Sequence, residues 1–312
     1  ASERRVYKRG AHTQATSNEF ANQSCLSIQI KKASLTPPVH HVLIDKGTER
    51  PFTGEYTDNE KGGSYLCRLC GIVLFRSEQK FVSSCGWPSF DDEFEKRVKK
   101  LPDADGRRTE ILCARCDGHL GHIFTGEGYT TKNTRYCVNS LSLDFVEDMK
   151  VQDTAEMIVA CGCFWGVEYY FKKLPGVLKT EVGYCGGKQN APTYEQVCTG
   201  KTGHLEVIRV LYDVSKLNLE QMFKYFFEIH DFSQTNGQGP DLGEQYLSAI
   251  FYYNENELKI AEKVIEELNK KNLKVATRCL PMCVFWKAEE YHQDYYAKTG
   301  KEPYCHTYKK IF

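Results

Sequence analysis

The sequence predicts two domains in tandem, a mainly-β unit followed by an α+β unit, and three observations carry that prediction. The 312-residue chain is about twice the usual domain length, enough for two separate cores. Apolar residues recur at the two-residue period of strands as far as about residue 147, and at helical spacing beyond about residue 157. Both Cys-x-x-Cys pairs fall in the first half with no counterpart in the second, so the halves are not repeats of one another.

Residues 1–40 mix Ser, Thr, Asn, Gln and Lys/Arg with little periodicity and end on Pro37-Pro38, the pattern of an extended or poorly ordered arm. Residues 41–147 form the first domain, where short apolar runs such as Ile72-Val73-Leu74-Phe75 and Ile111-Leu112 alternate with Gly-rich turns. Over 138–145, Leu141, Leu143 and Phe145 alternate with Ser142 and Asp144, the period of a half-buried strand. The short polar stretch 148–156 reads as a linker. The second domain, 157–312, opens with the strand-like MIVACG and runs into FWGVEYYFKKL. There Phe164, Val167, Phe171 and Leu174 keep helical spacing until Pro175 stops the run. Further helices are predicted over 219–230 and 255–271, with strands over 206–212 and 245–253, an α+β mixture.

Lys plus Arg and Asp plus Glu number 41 each, so net charge gives no reason to expect nucleic acid or an acidic membrane surface as partner. No run of about 18 apolar residues occurs, which predicts a soluble chain with no membrane span. The N-terminus lacks the basic-then-apolar pattern of an uncleaved signal, so a cytoplasmic location is the reading; a start at Ala1 rather than Met makes export after removal of a leader the alternative.

The 14 cysteines split evenly about residue 150. CRLC (67–70) and CARC (113–116) each present two thiolates from a tight turn, and Cys67, Cys70, Cys113 and Cys116 together make the four-sulfur tetrahedron that zinc prefers. With all four positions supplied by protein, such a zinc holds the fold and performs no chemistry, and it clips two turns far apart in sequence. Cys137 stands beside Arg135 and two residues from Asn139, a cation and an amide able to favour a thiolate. His119 and His122, on a Gly-flanked stretch and not needed for the zinc, are free for proton transfer.

With these residues in place, the half from about 42 to 147 resembles methionine sulfoxide reductase B, through GTERPFTGEY, both Cys-x-x-Cys pairs, CGWPSF, GHLGH and RYCVNS in the family's order. The resemblance implies a zinc-bearing β fold with Cys137 as nucleophile, Cys85 as resolving thiol and Trp87 as the wall for the substrate methyl group. It also implies that His119, His122, Arg135 and Asn139 bind and protonate the sulfoxide oxygen.

GCFWG (162–166) raises its own question, because Cys163 lies where a strand gives way to a helix, and helix N-terminal amides can stabilise a thiolate. At pH 7 a thiol of pKa about 8.5 is about 3% ionised, whereas one lowered by roughly two units is mostly ionised. The motif is similar at every position to the nucleophile motif of methionine sulfoxide reductase A, and the similarity extends over about 156–306 through GYCGG, PTYEQVCTGKTGHLEVIRV, QGPDLGEQY and YHQDYYAK. It implies a ferredoxin-like fold with Cys163 as nucleophile and Phe164 and Trp165 as the apolar seat for the S-methyl group. Glu206 becomes the acid that protonates the oxygen, with Tyr184, Asp241 and Tyr246 completing its hydrogen-bond cage. Cys161, Cys185, Phe232, Gly237, Pro240 and Lys287 depart from the family's usual residues. Cys305, in EPYCHTY, stands where many members carry a resolving Cys. Cys161 is its rival, although a bridge between residues two apart in a strand is strained.

Together the halves read as a fused methionine sulfoxide reductase, acting on the R epimer in the first domain and the S epimer in the second. Cys sulfenic acid and disulfide intermediates would be recycled by thioredoxin or a similar donor. Two alternatives are a thiol hydrolase built on Cys137, His119 and His122, and a zinc-binding interaction module fused to a single reductase domain.

Overall fold

The protein is described here by a computed structural model that covers residues 28–103, 106–148 and 150–312. Most of the expected arm, residues 1–27, lies outside these. The remainder of it is helical: α1 spans 28–33 and α2 Pro37–Leu43. Proline is tolerated in the first turn of α2 because its missing N–H would have no partner there. Val39, Val42 and Leu43 are buried, so α2 belongs to the first domain's core and the arm stops short of residue 40.

Two antiparallel sheets build the first domain. In one, β1 (Ser64–Cys67) lies between β2 (Val73–Arg76) and β9 (Leu143–Val146). The other runs in the order β3 (Lys80–Phe81), β4 (Ser89–Phe90), β8 (Thr134–Val138), β7 (His119–Thr125), β6 (Thr109–Cys113), β5 (Val98–Pro102). Aromatic side chains join the sheets: Phe75 stacks on Phe90 at 4.3 Å, and Tyr65 meets Phe90 edge-on at 4.9 Å. The strand predicted over 138–145 proves to be two, because β8 ends at Val138, a 3-10 turn occupies Ser140–Ser142 and β9 enters the other sheet. The carboxylate of Glu49 forces the break by accepting the backbone N–H groups of Ser140 and Leu141.

In the second domain β10 (Thr154–Ala160), α3 (Phe164–Lys172), β11 (Val177–Cys185), β12 (Leu205–Asp213), α5 (Leu219–Glu228) and β15 (Ala249–Tyr252) follow a split β-α-β-β-α-β pattern. The four strands stand in the antiparallel order β15-β10-β12-β11, extended by β16 (Arg278–Pro281) at one edge and β17 (Trp286–Lys287) at the other. α4 (Tyr194–Cys198), the β13–β14 hairpin (Gly237–Gln238 and Asp241–Leu242), α6 (Glu255–Lys270) and α7 (Tyr295–Thr299) complete it. Side-chain caps set the helix starts. Asn218 accepts from Gln221 N and Asn254 from Asn256 N and Glu257 N, each cap worth about 1 kcal/mol.

The domains pack against one another. Leu66, Val73 and Val146 of the first share an apolar cluster with Val151 and Leu211. Around it Lys179 pairs with Asp144 across the boundary at 2.9 Å, and Arg209 bridges Glu156 and Glu181. Thr154 donates its hydroxyl to the Gly71 carbonyl at 2.6 Å, which is why β10 begins three residues inside the stretch read as a linker. No helix among the described residues is long and apolar enough to cross a membrane.

Candidate functional site

In the first domain Cys137 lies on β8, opposite Ser89 of β4 and His122 of β7. Cys85 reaches it from the loop before β4. Gly86 lets that loop in, because its φ is +92° and a Cβ would stand 2.6 Å from Pro51 Cβ and 3.0 Å from Phe52 N. The Cys85 and Cys137 sulfurs are 3.8 Å apart. Trp87 is fixed by its indole N–H, which donates to the Glu49 carbonyl at 3.1 Å. A cavity lined by Thr48, Trp87, Arg108, His122, Cys137 and Asn139 opens on the pair.

The neighbouring sulfur and burial push the Cys137 thiol well up. The Cys137 contact also brings Cys85 down to about 4 against its own burial, helped by the Ser83 hydroxyl at 3.0 Å. The two sulfurs therefore titrate as a coupled pair. Two other expected groups stand back from the cavity. His119 is buried with Nδ1 donating to the Glu110 carboxylate at 2.7 Å, and burial lowers its pKa. Arg135 turns its guanidinium onto Glu127, at 2.7 and 2.8 Å, over the Phe124 ring. His122, tied through Nε2 to Asp103 at 3.0 Å, and Asn139, whose amide bonds Leu120 O and Glu49 N, do line it.

In the second domain Gly162, at φ +97°, turns the chain out of β10 so that Cys163 becomes the N-cap of α3. Cys163 Sγ, Cys305 Sγ and an Asp241 oxygen lie within 4.8 Å of one another. The Cys305 sulfur and burial raise the Cys163 pKa, outweighing the Trp165 and Gly166 backbone N–H groups that pull it down. The helix amides are thus present as expected, yet in this reduced pair they do not hold a thiolate. Glu206 is 1% exposed; Oε2 accepts from Phe164 N at 3.1 Å and Oε1 has no partner. Burial, then the Cys163 sulfur, push its carboxyl well above the ordinary carboxylate range, which favours the protonated form.

Phe164 is buried beside Tyr184 and Tyr194, and Trp165 stacks on Tyr295 at 3.8 Å with its N–H donating to His292 Nδ1 at 3.0 Å. Tyr184 does not bond Glu206; its hydroxyl donates to Glu289 at 2.9 Å. Tyr246, in the 3-10 turn Glu244–Tyr246, is raised by burial and then by Glu206, and Asp241 accepts from Tyr304 at 3.1 Å. Cys161, the rival resolving thiol, is fully buried in the core among Met157, Val159 and Phe164. Glu49, Glu289, His292 and His306 were not singled out from the sequence, although all but Glu289 lie inside a quoted motif. Their signal was a polar side chain whose partner is far away along the chain.

The remaining constellation gathers Cys67, Cys70, Cys113 and Cys116, buried or nearly so, with all four sulfurs within 4.8 Å. The Cys67–Cys116 and Cys70–Cys113 separations are 3.5 Å, close to the edge of about 3.8 Å for a tetrahedron of sulfurs around zinc. The donor set fits that ion.

Comparison with known proteins agrees with the geometry. The family described as peptide methionine sulfoxide reductase matches residues 155–311, and the SelR domain, the reductase B unit, matches residues 35–147. Peptide methionine sulfoxide reductase MsrA of Nautilia profundicola is 47% identical over 144 residues, 46% of this chain and 83% of that protein. The MsrA of Saccharolobus solfataricus is 46% identical over 145 residues, 46% of this chain and 82% of that protein. Among solved structures, reduced Mxr1 from Saccharomyces cerevisiae aligns at 36% identity and a TM-score of 0.47, over 49% of this chain and 89% of that one. The chain belongs to the peptide methionine sulfoxide reductase family and carries a SelR domain ahead of that unit.

Proposed function

We propose that the chain returns methionine sulfoxide to methionine at two separate sites, the R epimer at Cys137 and the S epimer at Cys163. The observation that carries this reading is a pair of neighbouring sulfurs in each domain, Cys85 with Cys137 at 3.8 Å and Cys163 with Cys305 within 4.8 Å. Two modules are needed because the oxidised sulfur is chiral and each reductase type accepts one epimer.

In each site a Cys thiolate attacks the sulfoxide sulfur while an acid protonates the oxygen; methionine leaves and Cys sulfenic acid remains. At the S site Glu206, protonated and aimed with a free oxygen, supplies the proton, and Phe164 and Trp165 seat the methyl group. At the R site Trp87 forms the methyl wall, and His122 and Asn139 receive the oxygen. Cys137, coupled to Cys85 3.8 Å away and favoured as the thiolate by Arg135, is the nucleophile. His119 is held behind the cavity by Glu110, and Arg135, oriented by Glu127, favours the Cys137 thiolate directly. Tyr184, Tyr246 and Asp241 shape the S site around the acid. The resolving thiols, Cys85 and Cys305, then condense with the sulfenic acids to disulfides and water, and a thioredoxin-type dithiol reduces those bonds. A structural zinc held by Cys67, Cys70, Cys113 and Cys116 would fix the two turns of the first domain and take no part in the chemistry.

The test is turnover on separated epimers. Cys137→Ser is expected to abolish R-epimer reduction and leave the S epimer, and Cys163→Ser to do the reverse. Loss of both activities in either variant would overturn the two-site reading, and an R-inactive wild type would reduce the first domain to a zinc-binding module.

A further inference from the structure

The second domain holds a base that none of the steps above uses. His306 follows Cys305 and is 3% exposed, wedged between the end of β10 and the first turn of α3. A Cβ on Gly166 would come within 2.4 Å of its Nδ1, so the glycine of the nucleophile motif makes room for this ring. Nε2 lies 2.6 Å from the Cys161 carbonyl oxygen, and Nδ1 lies 3.1 Å from Cys305 Sγ. A carbonyl can only accept, so Nε2 carries the proton, and Nδ1 turns a lone pair to the Cys305 thiol. Burial lowers the His306 pKa to about 4, against the Cys161 carbonyl, so the ring is neutral at neutral pH.

The geometry points to His306 as the general base that activates Cys305 in the resolving step; the inference rests on the assignment of Cys163 and Cys305 above. Nδ1 takes the thiol proton, and the Cys305 thiolate attacks the sulfur of the Cys163 sulfenic acid. The S–S bond forms as the S–O bond breaks, and the departing hydroxide takes the proton back from the imidazolium to leave as water. The sulfenic acid is the oxidant and Cys305 the reductant, so no outside electrons enter. A base is needed because both sulfurs are buried, with the Asp241 carboxyl group within 4.8 Å of them, and desolvation disfavours an unaided thiolate there. The other titratable groups facing the ring and the thiols are His230 at the end of α5, Tyr296 and Tyr304. The tail is positioned for this step without a large motion: Glu228 accepts from Ile311 N at 2.8 Å and Phe312 N at 3.0 Å, and Tyr170 donates to the His306 carbonyl at 3.3 Å.

The experiment is a single turnover of the reduced full chain with the S epimer and no reductant, following methionine released, sulfenic acid trapped by dimedone, and the Cys163–Cys305 linked peptide. His306→Phe removes the ring nitrogens, and His306→Gln keeps an N–H for the Cys161 carbonyl but no base, so a packing defect in the first does not decide the matter. Expected in both is a fall of at least about tenfold in disulfide formation per methionine released at pH 7, with sulfenic acid accumulating. The rate should climb about tenfold per pH unit above neutrality, where wild type is flat. A variant slow at every pH, or as fast as wild type, overturns the role of His306, as does the same pH slope in Asp241→Asn but in neither His306 variant. Absence of the Cys163–Cys305 peptide from wild type removes the resolving assignment itself, and the inference with it.

Discussion

In the first domain Cys137 lines a cavity, and the Cys85 sulfur beside it is drawn down by the Cys137 contact and the Ser83 hydroxyl. In the second, both sulfurs are at most 7% exposed, the Cys163 thiol is pushed up by the Cys305 sulfur and burial, and burial raises the Glu206 carboxyl. The same sulfur chemistry thus rests on shared charge in one fold and on desolvation in the other. A mainly-β domain clipped by four cysteines keeps its site near the surface, whereas a six-stranded sheet under helices can bury one. The first sharp way to break the comparison is the metal. Chelation of zinc, or Cys67→Ser, is expected to abolish R-epimer activity by unfolding the first domain, while S-epimer turnover stays within about twofold. Metal content and two epimer assays on one sample check this; a chelated protein retaining full R activity would mean that the four sulfurs do not hold the fold.

Glu206 carries the next largest effect. Replacing it by Gln keeps the shape and removes the proton, so S-epimer turnover should fall by about 10²–10⁴-fold with the R epimer unchanged. The acid also leaves a signature in stability. In the fold it titrates well above 4.5, so as pH rises past 4.5 the unfolded chain loses a proton that the folded chain keeps. Stability therefore falls across that window, by up to about 1.4 kcal/mol per pH unit. Glu206→Gln should be the more stable protein at pH 7 and lack that slope in denaturant titrations. A destabilised Gln variant with unchanged S turnover would show that the buried carboxyl is structural.

How far these sites could be read from sequence follows the same division. The zinc pairs, GCFWG and RYCVNS are local spacings, and the starts of α5 and α6 came out right because Asn218 and Asn254 cap them from the next residue. The errors have distant causes. One strand was read over 138–145 because its alternation is real, but Glu49 splits it from across the chain. His119 and Arg135 were read beside Cys137, but their ties to Glu110 and Glu127 were not visible in the sequence. Sequence also does not show that Glu228 holds the tail beyond Cys305 in place. Nor could sequence show that the domains meet, since Lys179–Asp144 and Leu211 with Val73 are long-range pairs.

A third measurement sharpens the contrast between shared and buried charge. With Cys85 near 4, its thiolate fraction is constant from pH 6 to 8, so alkylation by iodoacetamide at Cys85 should be flat over that range. It should also run at least about tenfold ahead of alkylation at Cys163 and Cys305, both enclosed. Labelling that starts at Cys137, or that rises tenfold per pH unit at Cys85, would put the charge elsewhere.

The smallest expected effect separates a group that touches the substrate from one that holds the wall. Tyr184 is buried on β11, and its hydroxyl donates to Glu289 Oε2, while Glu289 Oε1 accepts from Tyr194 N at the start of α4. Through Glu289 it therefore ties the sheet edge to the helix that brings Tyr194 against Phe164. If that is its role, Tyr184→Phe loses one hydrogen bond worth about 1 kcal/mol and lets the aromatic seat loosen. S-epimer kcat/KM should fall only about three- to tenfold, mostly through KM, and Glu289→Gln should reproduce the change, with the double variant no worse than either alone. A loss of 100-fold in kcat for Tyr184→Phe with Glu289→Gln near wild type would instead put the Tyr184 hydroxyl on the sulfoxide oxygen, beside Glu206, and make the acid of the second site a pair.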